Sequence, residues 1–333
     1  MKSDSSAATL LFAPRASGDF GLRVARALGV GLAPIEERDF EGGEHKTRPL
    51  VEVRGRRCWV VQALHGDEQG SANDRLCRLL FLIGALRDAG AAHVSACLPY
   101  LAYARKDRRT KHRDPITTRY VAQLFEAVGT DRVVALEVHN PAAFDNAFRC
   151  ESVALSFVPL LCRWLQGCGR RSPVVMSPDI GGVKRAQLAR ELIVTLLGLD
   201  AGFAFMEKRR SGGVVSGDQL VGDVRGRDVL IIDDLIASGG TVLRATAACR
   251  AAGAVHIDVA GCHGVFTPTA GALLGQEGPD TVLVTNSVPL PNGFLASDRL
   301  QVLDAAGLIA EAIQRLERGE GLAELLGSDE LRV

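Results

Sequence analysis

Val229-Leu-Ile-Ile-Asp-Asp-Leu-Ile-Ala-Ser-Gly-Gly-Thr241 joins an apolar run to two aspartates and a turn of small residues. The run predicts a buried strand over Val229–Leu235 with Asp233 and Asp234 at its carboxyl end, and a helix over Gly240–Ala252. Small residues at Ala237–Gly240 let backbone N–H groups approach an anion closely, and the helix N-terminus adds a favourable field. Ser238 and Thr241 bring hydroxyl donors, and the aspartates can accept hydrogen bonds from sugar hydroxyls. An ordinary strand-to-helix turn capped by one aspartate needs neither the second acid nor the Ser-Gly-Gly-Thr run. The stretch therefore reads as a phosphate cradle.

Working outward, the same alternation fills the chain. Strands are predicted at Leu10–Ala13, Trp59–Ala63, His93–Pro99, Arg132–His139, Pro173–Ser177, Gly202–Glu207, Ile257–Gly261 and Thr281–Thr285. Helices are predicted at Asn73–Ala89, Ile116–Ala127, Gly182–Leu197 and Ala305–Gln314. Strand and helix in repetition signify α/β architecture with mostly parallel sheets, and continuous apolar strands are buried on both faces. A boundary near Ser152–Phe157 divides the chain into domains 1–154 and 155–315, with a helical tail over 316–333. A chain of 333 residues is long for one core and comfortable for two.

The 39 basic and 39 acidic residues cancel, so no global field draws the chain to nucleic acid or to an anionic membrane. No apolar run reaches the roughly 18 residues of a membrane span, and the N-terminus lacks a signal-peptide pattern. Eight scattered cysteines without a C-x-x-C pair read as reduced thiols, so the expected compartment is the cytoplasm.

Affinity for phosphate must then be local. Six of the nine residues Arg105–Arg113 are Lys or Arg, interrupted by Asp107. Guanidinium forks match phosphate oxygens, and the scarcity of interleaved aromatics argues against an RNA patch. His139 closes a predicted strand and Asp179 closes another in the next domain, as a cation's ligands could. Lys208 and Arg210 sit between a strand and the loop predicted over Ser211–Asp218, where closure could deliver two cations to a reacting phosphate.

The Val229–Thr241 stretch resembles the phosphoribosyl-binding loop of the type I phosphoribosyltransferase fold. Alone it fits phosphoribosyltransferases and ribose-phosphate diphosphokinases equally. Further segments resemble the ribose-phosphate diphosphokinase (PRPP synthetase) family in order and spacing. They are Phe40–Glu44, Pro99–Arg109 continuing to Arg113–Thr117, Leu136–Asn140, Ser177–Arg185, Lys208–Arg210 and Val284–Ser287. The resemblance implies two type I phosphoribosyltransferase-like domains, each a mostly parallel sheet flanked by helices. It implies transfer of the diphosphoryl group of ATP to the C1 hydroxyl of ribose 5-phosphate. Phe40, Glu44, Arg105, Lys106, Asp107 and His139 are then the ATP residues, and His139 and Asp179 the ligands of Mg²⁺. Asp233, Asp234 and Ala237–Thr241 hold the sugar phosphate, and Lys208 and Arg210 are the catalytic cations. Asp233 is the candidate general base. In the family the adenine site borrows the Phe40–Glu44 loop from a neighbouring subunit, which implies at least a dimer and an expected hexamer.

Departures from the family pattern accompany the matches. Gly42 stands for a polar Asn or Asp in the adenine segment, Lys106 for a Gln beside the nucleotide, and Ala237 for an acid in the phosphate loop. The first two leave base selectivity open to relaxation. Gly321, Ala323 and Leu326 replace the serines and aromatic of phosphate-regulated members, so activity independent of inorganic phosphate and weak inhibition by ADP are expected. The competing readings are a phosphoribosyltransferase that consumes PRPP and a non-catalytic relative that regulates the synthetase.

Overall fold

The computed structural model describes residues 9–170, 172–211 and 214–326; at 208–211, 214–218 and 324 it describes the backbone alone. In chain order the elements begin β1 (Leu10–Phe12), α1 (Gly18–Leu28), β2 (Ile35–Asp39), β3 (His45–Pro49), β4 (Arg57–Val61) and α2 (Ala72–Asp88). Next come β5 (His93–Leu98), α3 (Thr117–Ala127), β6 (Arg132–Leu136), α4 (Pro141–Ala147), β7 (Glu151–Leu155) and α5 (Val158–Cys168). Then follow β8 (Val174–Ser177), α6 (Val183–Leu197), β9 (Gly202–Ser211), β10 (Val214–Val221), β11 (Asp228–Ile236) and α7 (Gly240–Ala251). The last are β12 (His256–Gly264), β13 (Thr281–Thr285), β14 (Leu300–Leu303), α8 (Ala306–Arg318) and α9 (Ala323–Leu326).

Contacts divide the chain into two units. The first runs to Leu155 and takes back Ala306–Leu322; the second holds Ser156–Ala305 and the segment from Ala323. The sequence boundary at 154/155 lies one residue away, but α8 groups with the first unit rather than with 155–315. The tail expected to be helical over 316–333 contains the end of α8 and the short α9; 327–333 lie outside the described residues.

In the first unit β1, β4, β5, β6 and β7 form a parallel sheet in the order β1-β4-β5-β6-β7. Strands β4 to β6 are buried almost throughout, as continuous apolar runs in a covered parallel sheet should be. Ser71 and Asp74 start α2 with a capping box, each side chain bonding the other's backbone N–H. The antiparallel β2–β3 hairpin, which the sequence did not announce, packs its β3 strand on α2. Strand β2 is charged on both faces, and β3 sets Lys46 and Arg48 opposite His45, Thr47 and Pro49, so neither carries an apolar run or an apolar face that would mark it.

Helix α8 packs on α1 and carries Glu317 to the edge of this sheet. Glu317 accepts from Trp59 Nε1 at 2.9 Å, Arg57 Nε at 2.8 Å and Thr9 Oγ1 at 2.9 Å. Burial pushes its carboxyl up, but the Trp59, Thr9 and Arg57 bonds outweigh that and hold it below the ordinary value. Trp59 is fully buried, so Glu317→Ala strands an indole N–H. A loss of about 2 kcal/mol in urea unfolding is expected. Because the folded carboxyl is lowered, this contribution is present above the usual carboxylate range and fades as pH falls through the lowered value. Equal losses for the variant at neutral and strongly acidic pH would contradict it.

In the second unit the order is β10-β9-β8-β11-β12-β13-β14, parallel except for β10 at one edge. Val174, Met176, Val229, Ile231, Val259 and Val282 fill its core. One expectation fails here: the segment read as a loop over Ser211–Asp218 contributes to a hairpin. Strand β9 runs on to Ser211, and β10 pairs back with it, Val214 opposite Ser211 and Asp218 opposite Lys208. The β-branched valines at Val214, Val215 and Val221, set among polar residues, suit an edge strand better than the expected loop. Residues 212–213, between the two strands in sequence, lie outside the described residues.

Candidate active site

In both units the polar segments leave the carboxyl ends of parallel strands, where an open α/β sheet gathers ligands. In the second unit β11 delivers Asp233 and Asp234 and then turns through Ala237 and Ser238 into α7. Gly239 caps that helix with φ +77°, a conformation in which side chains are strained. A Cβ there would lie 2.6 Å from Leu273 Cγ and Cδ1. Only glycine lets the turn lie this close to the buried Leu273. Ser238 is exposed and Thr241 half-buried, the latter within 3.4 Å of Arg244 Nη2.

The two aspartates form a compact acid pair. Asp233 Oδ1 accepts the Asp234 N–H at 2.9 Å. Arg185 Nη1, from α6, stands 3.2 Å from Asp234 and 3.7 Å from Asp233. Burial, then the Asp234 carboxylate, pushes the Asp233 carboxyl well above its usual value; Arg185 offsets only part of this. Such a pair favours a bound proton, hydroxyl donors or a divalent cation beside it. Arg185 lies in the Ser177–Arg185 segment singled out above, but its pairing with the acids was not read there. The two sites are 48 residues apart in sequence and meet only through the fold.

Asp179 follows β8 by two residues and is exposed. Its Oδ1 accepts the Gly182 N–H at 3.0 Å, and Ser177 Oγ donates to its carbonyl at 2.6 Å. These bonds fix the loop at the head of α6. Lys208 and Arg210 lie on β9, whose carboxyl end runs parallel to that of β8. Their backbones are thus strand positions at the same edge of the sheet as Asp179 and Asp233, and their side chains lie outside the described residues.

In the first unit the cation loop follows β5. Arg105 is exposed, while Lys106 and Asp107 are half-buried. The Lys106 ammonium lies 2.8 Å from Asp114 Oδ2 rather than open to solvent. Asp107 Oδ2 accepts from Asn140 Nδ2 at 2.7 Å, and Asn140 Oδ1 accepts the Ala143 N–H at the start of α4. Asn140 therefore brings the cation loop beside His139, a link the sequence reading missed. Strand β6 does not reach His139 as expected: it stops at Leu136, and Glu137 takes φ +43°. Tyr103 and Arg113, with φ +66° and +65°, are the other described non-glycine residues in this strained region. All three lie in the loops after β5 and β6, and such strain gathers at functional sites. Phe40 and Glu44 sit on the β2–β3 turn, both exposed, where the Phe40 N–H donates to the Glu44 carbonyl at 2.8 Å. Gly42 has φ +81°, a backbone that Asn or Asp tolerates better than other residues, so the substitution keeps the turn while removing the polar side chain.

Magnesium takes oxygen donors, usually one or two carboxylates with waters and phosphate oxygens, rather than a full protein cage. Among the described residues no three His, Cys, Asp or Glu converge on one point. An exposed Asp179 and an under-compensated Asp233–Asp234 pair nevertheless fit a hard cation that arrives with phosphate oxygens of its own.

Comparison with known proteins agrees with this layout. A family model described as the N-terminal domain of ribose phosphate pyrophosphokinase matches residues 9–129. Another, the phosphoribosyl synthetase-associated domain, matches residues 216–327. A ribose-phosphate pyrophosphokinase of Pasteurella multocida is 32% identical over 325 residues, covering 95% of this chain and 98% of that relative. Its counterpart in Caldanaerobacter subterraneus is 34% identical over 317 residues, covering 95% and 96%. The crystal structure of phosphoribosylpyrophosphate synthetase from Mycobacterium smegmatis superposes with a TM-score of 0.83 at 31% identity, over 93% of this chain and 99% of that one. That likeness carries the type I phosphoribosyltransferase-like fold with it. With the strand-end acids, the cation loop and near-complete coverage of these relatives all on one chain, it belongs to the ribose-phosphate pyrophosphokinase family.

Proposed function

We propose that the chain is a Mg²⁺-dependent ribose-phosphate diphosphokinase that moves the β,γ-diphosphoryl group of ATP to the C1 hydroxyl of ribose 5-phosphate, giving PRPP and AMP. The observation that carries this reading is one chain holding both a phosphoribosyl-type loop after β11 and a cation loop tied to the His139 turn. A phosphoribosyltransferase uses the first and has no need of the second.

Asp233 and Asp234 would accept hydrogen bonds from the ribose hydroxyls, and the amides and hydroxyls of Ala237–Thr241 would bind the 5-phosphate. Arg105, Asp107 and His139 would meet ATP, with Phe40 and Glu44 supplied to the adenine by a neighbouring copy in a homo-oligomer. The proposed ligands of Mg²⁺ are His139 and Asp179. The ion would shield phosphate charge, and phosphoryl transfer otherwise depends on positioning and electrostatic stabilisation. Lys208 and Arg210 would stabilise charge on the transferred and departing oxygens. Asp233 has its carboxyl raised, which suits it to hold the C1 hydroxyl proton.

The test is AMP formation by purified protein with ATP, Mg²⁺ and ribose 5-phosphate. Turnover should require the sugar, cease with EDTA and return with added Mg²⁺. AMP release without sugar, or no AMP but altered activity of an added synthetase, would overturn the reading in favour of a hydrolase or a regulatory relative.

A further inference from the structure

Six cations in the nine residues Arg105–Arg113 repel one another, and a loop so built needs an internal counter-charge to hold one shape. Asp114, at the end of the run, supplies it through a single oxygen. Its Oδ2 accepts from Lys106 Nζ at 2.8 Å, Thr110 Oγ1 at 2.7 Å, Thr110 N at 3.1 Å and Lys111 N at 3.0 Å. Arg109 Nε adds a bond to the Asp114 carbonyl at 3.1 Å. The Lys106 bond, then Thr110 and Lys111, hold the Asp114 carboxyl far below the usual carboxylate range, so it stays charged wherever the protein works. The turn it closes includes Arg113 in its left-handed conformation.

Lys106 is fixed from the other side too. Its carbonyl accepts from Thr118 N at 3.3 Å and Thr118 Oγ1 at 3.2 Å, and that hydroxyl also reaches the Tyr103 carbonyl at 2.9 Å. Thr118 is buried at the start of α3. Backbone and ammonium of Lys106 are thus pinned at separate anchors, with Arg105 and Asp107 on either side of it. Asp107 in turn is bonded to Asn140 next to His139.

We infer that Asp114 is a positioning residue for nucleotide binding: by holding Lys106 and the 110–111 amides it sets where Arg105 and Asp107 stand relative to the His139 turn. Lys106 acts as the tether of that loop and not as a ligand of the triphosphate. The inference rests on the assignment of ATP to this loop. It bears on a lysine that sequence comparison alone would place against the nucleotide.

The test is a cycle of Asp114→Ala, Lys106→Gln and the double variant. It is read by calorimetric titration with the Mg²⁺ complex of a non-hydrolysable ATP analogue, by KM for both substrates, and by amide exchange at Thr110 and Lys111. Asp114→Ala should weaken analogue binding and raise KM for ATP about tenfold, leave KM for ribose 5-phosphate within about twofold, and speed exchange at both amides at least about tenfold. Lys106→Gln should weaken binding in the wild-type background and add nothing once Asp114 is gone. As a half-exposed replacement it also keeps the pair testable if Asp114→Ala does not fold. Additive losses would make Lys106 a direct ligand and overturn the inference. So would faster exchange with analogue affinity unchanged. Because the titration needs no turnover, a wild-type protein that binds the analogue but forms no AMP would sink the diphosphokinase reading separately.

Discussion

Lys208→Ala lowers kcat about a thousandfold and changes KM for ATP and ribose 5-phosphate by less than about threefold. The expectation follows from where diphosphoryl transfer needs help. The reacting group gains no covalent partner from the protein, so catalysis depends on cations that meet charge as it spreads over the in-line oxygens. Removing one preorganised donor of this kind typically costs two to three orders of magnitude in kcat, with little effect on ground-state binding. Positions 208 and 210 are two apart on a strand, the spacing that returns to one face of a sheet. They lie beyond the pairing of β9 with β8, which ends at Ser177 opposite Phe205. From there the chain stands as a two-stranded arm, with a register shift between Val215 and Gly217 on the returning strand. A β-hairpin carrying both cations holds their spacing better than the open loop expected from sequence. Single-turnover AMP formation is the measurement. A variant within tenfold of wild type, or one whose KM rises as far as kcat falls, would remove Lys208 from the chemistry.

The difference between loop and hairpin shows which physical information the sequence carries. Strands β4, β5, β6, β8, β11, β12 and β13 are buried along most of their length and each contains a short apolar stretch, from which it was placed to within a few residues. Strands β2, β3, β10 and β14 lie at edges or in a hairpin and carry charged or polar residues, so burial writes no comparable pattern into them. The return of α8 to the first unit depends on Glu317 meeting Trp59 across 258 residues, and no local signal predicts so distant a contact. The site divides the same way. The phosphate loop was legible because its acids, small residues and hydroxyls are contiguous in sequence. Arg185 beside the acid pair, Asn140 between Asp107 and α4, and Asp114 under Lys106 take their meaning from partners elsewhere in a loop or fold. A charge run shows that cations are present, but not which of them are already spoken for.

Gly239→Val should raise KM for ribose 5-phosphate about a hundredfold while leaving KM for ATP within about threefold. Two consequences of the substitution act together. A β-branched residue at φ +77° is strained by about 1–3 kcal/mol, so the turn relaxes towards another conformation. The new side chain also meets Leu273, which is fully buried and packed beneath the turn, at 2.6 Å from its first carbon. Either response moves the amides at the head of α7 away from the position that a phosphate would occupy. A charge-assisted hydrogen bond contributes about 1.5–3 kcal/mol, so losing the aim of one or two such donors corresponds to about two orders of magnitude in binding. The strain also predicts lower stability, so kinetics belong well below the variant's own melting temperature. Gly240→Ala is the comparison, because Gly240 begins α7 without positive φ and a Cβ there meets no atom closer than 3.7 Å. If Gly240→Ala lost sugar affinity as severely as Gly239→Val, the effect would belong to the helix N-terminus in general and not to the left-handed turn. If Gly239→Val left KM for ribose 5-phosphate unchanged, the loop after β11 would not be where the sugar phosphate binds.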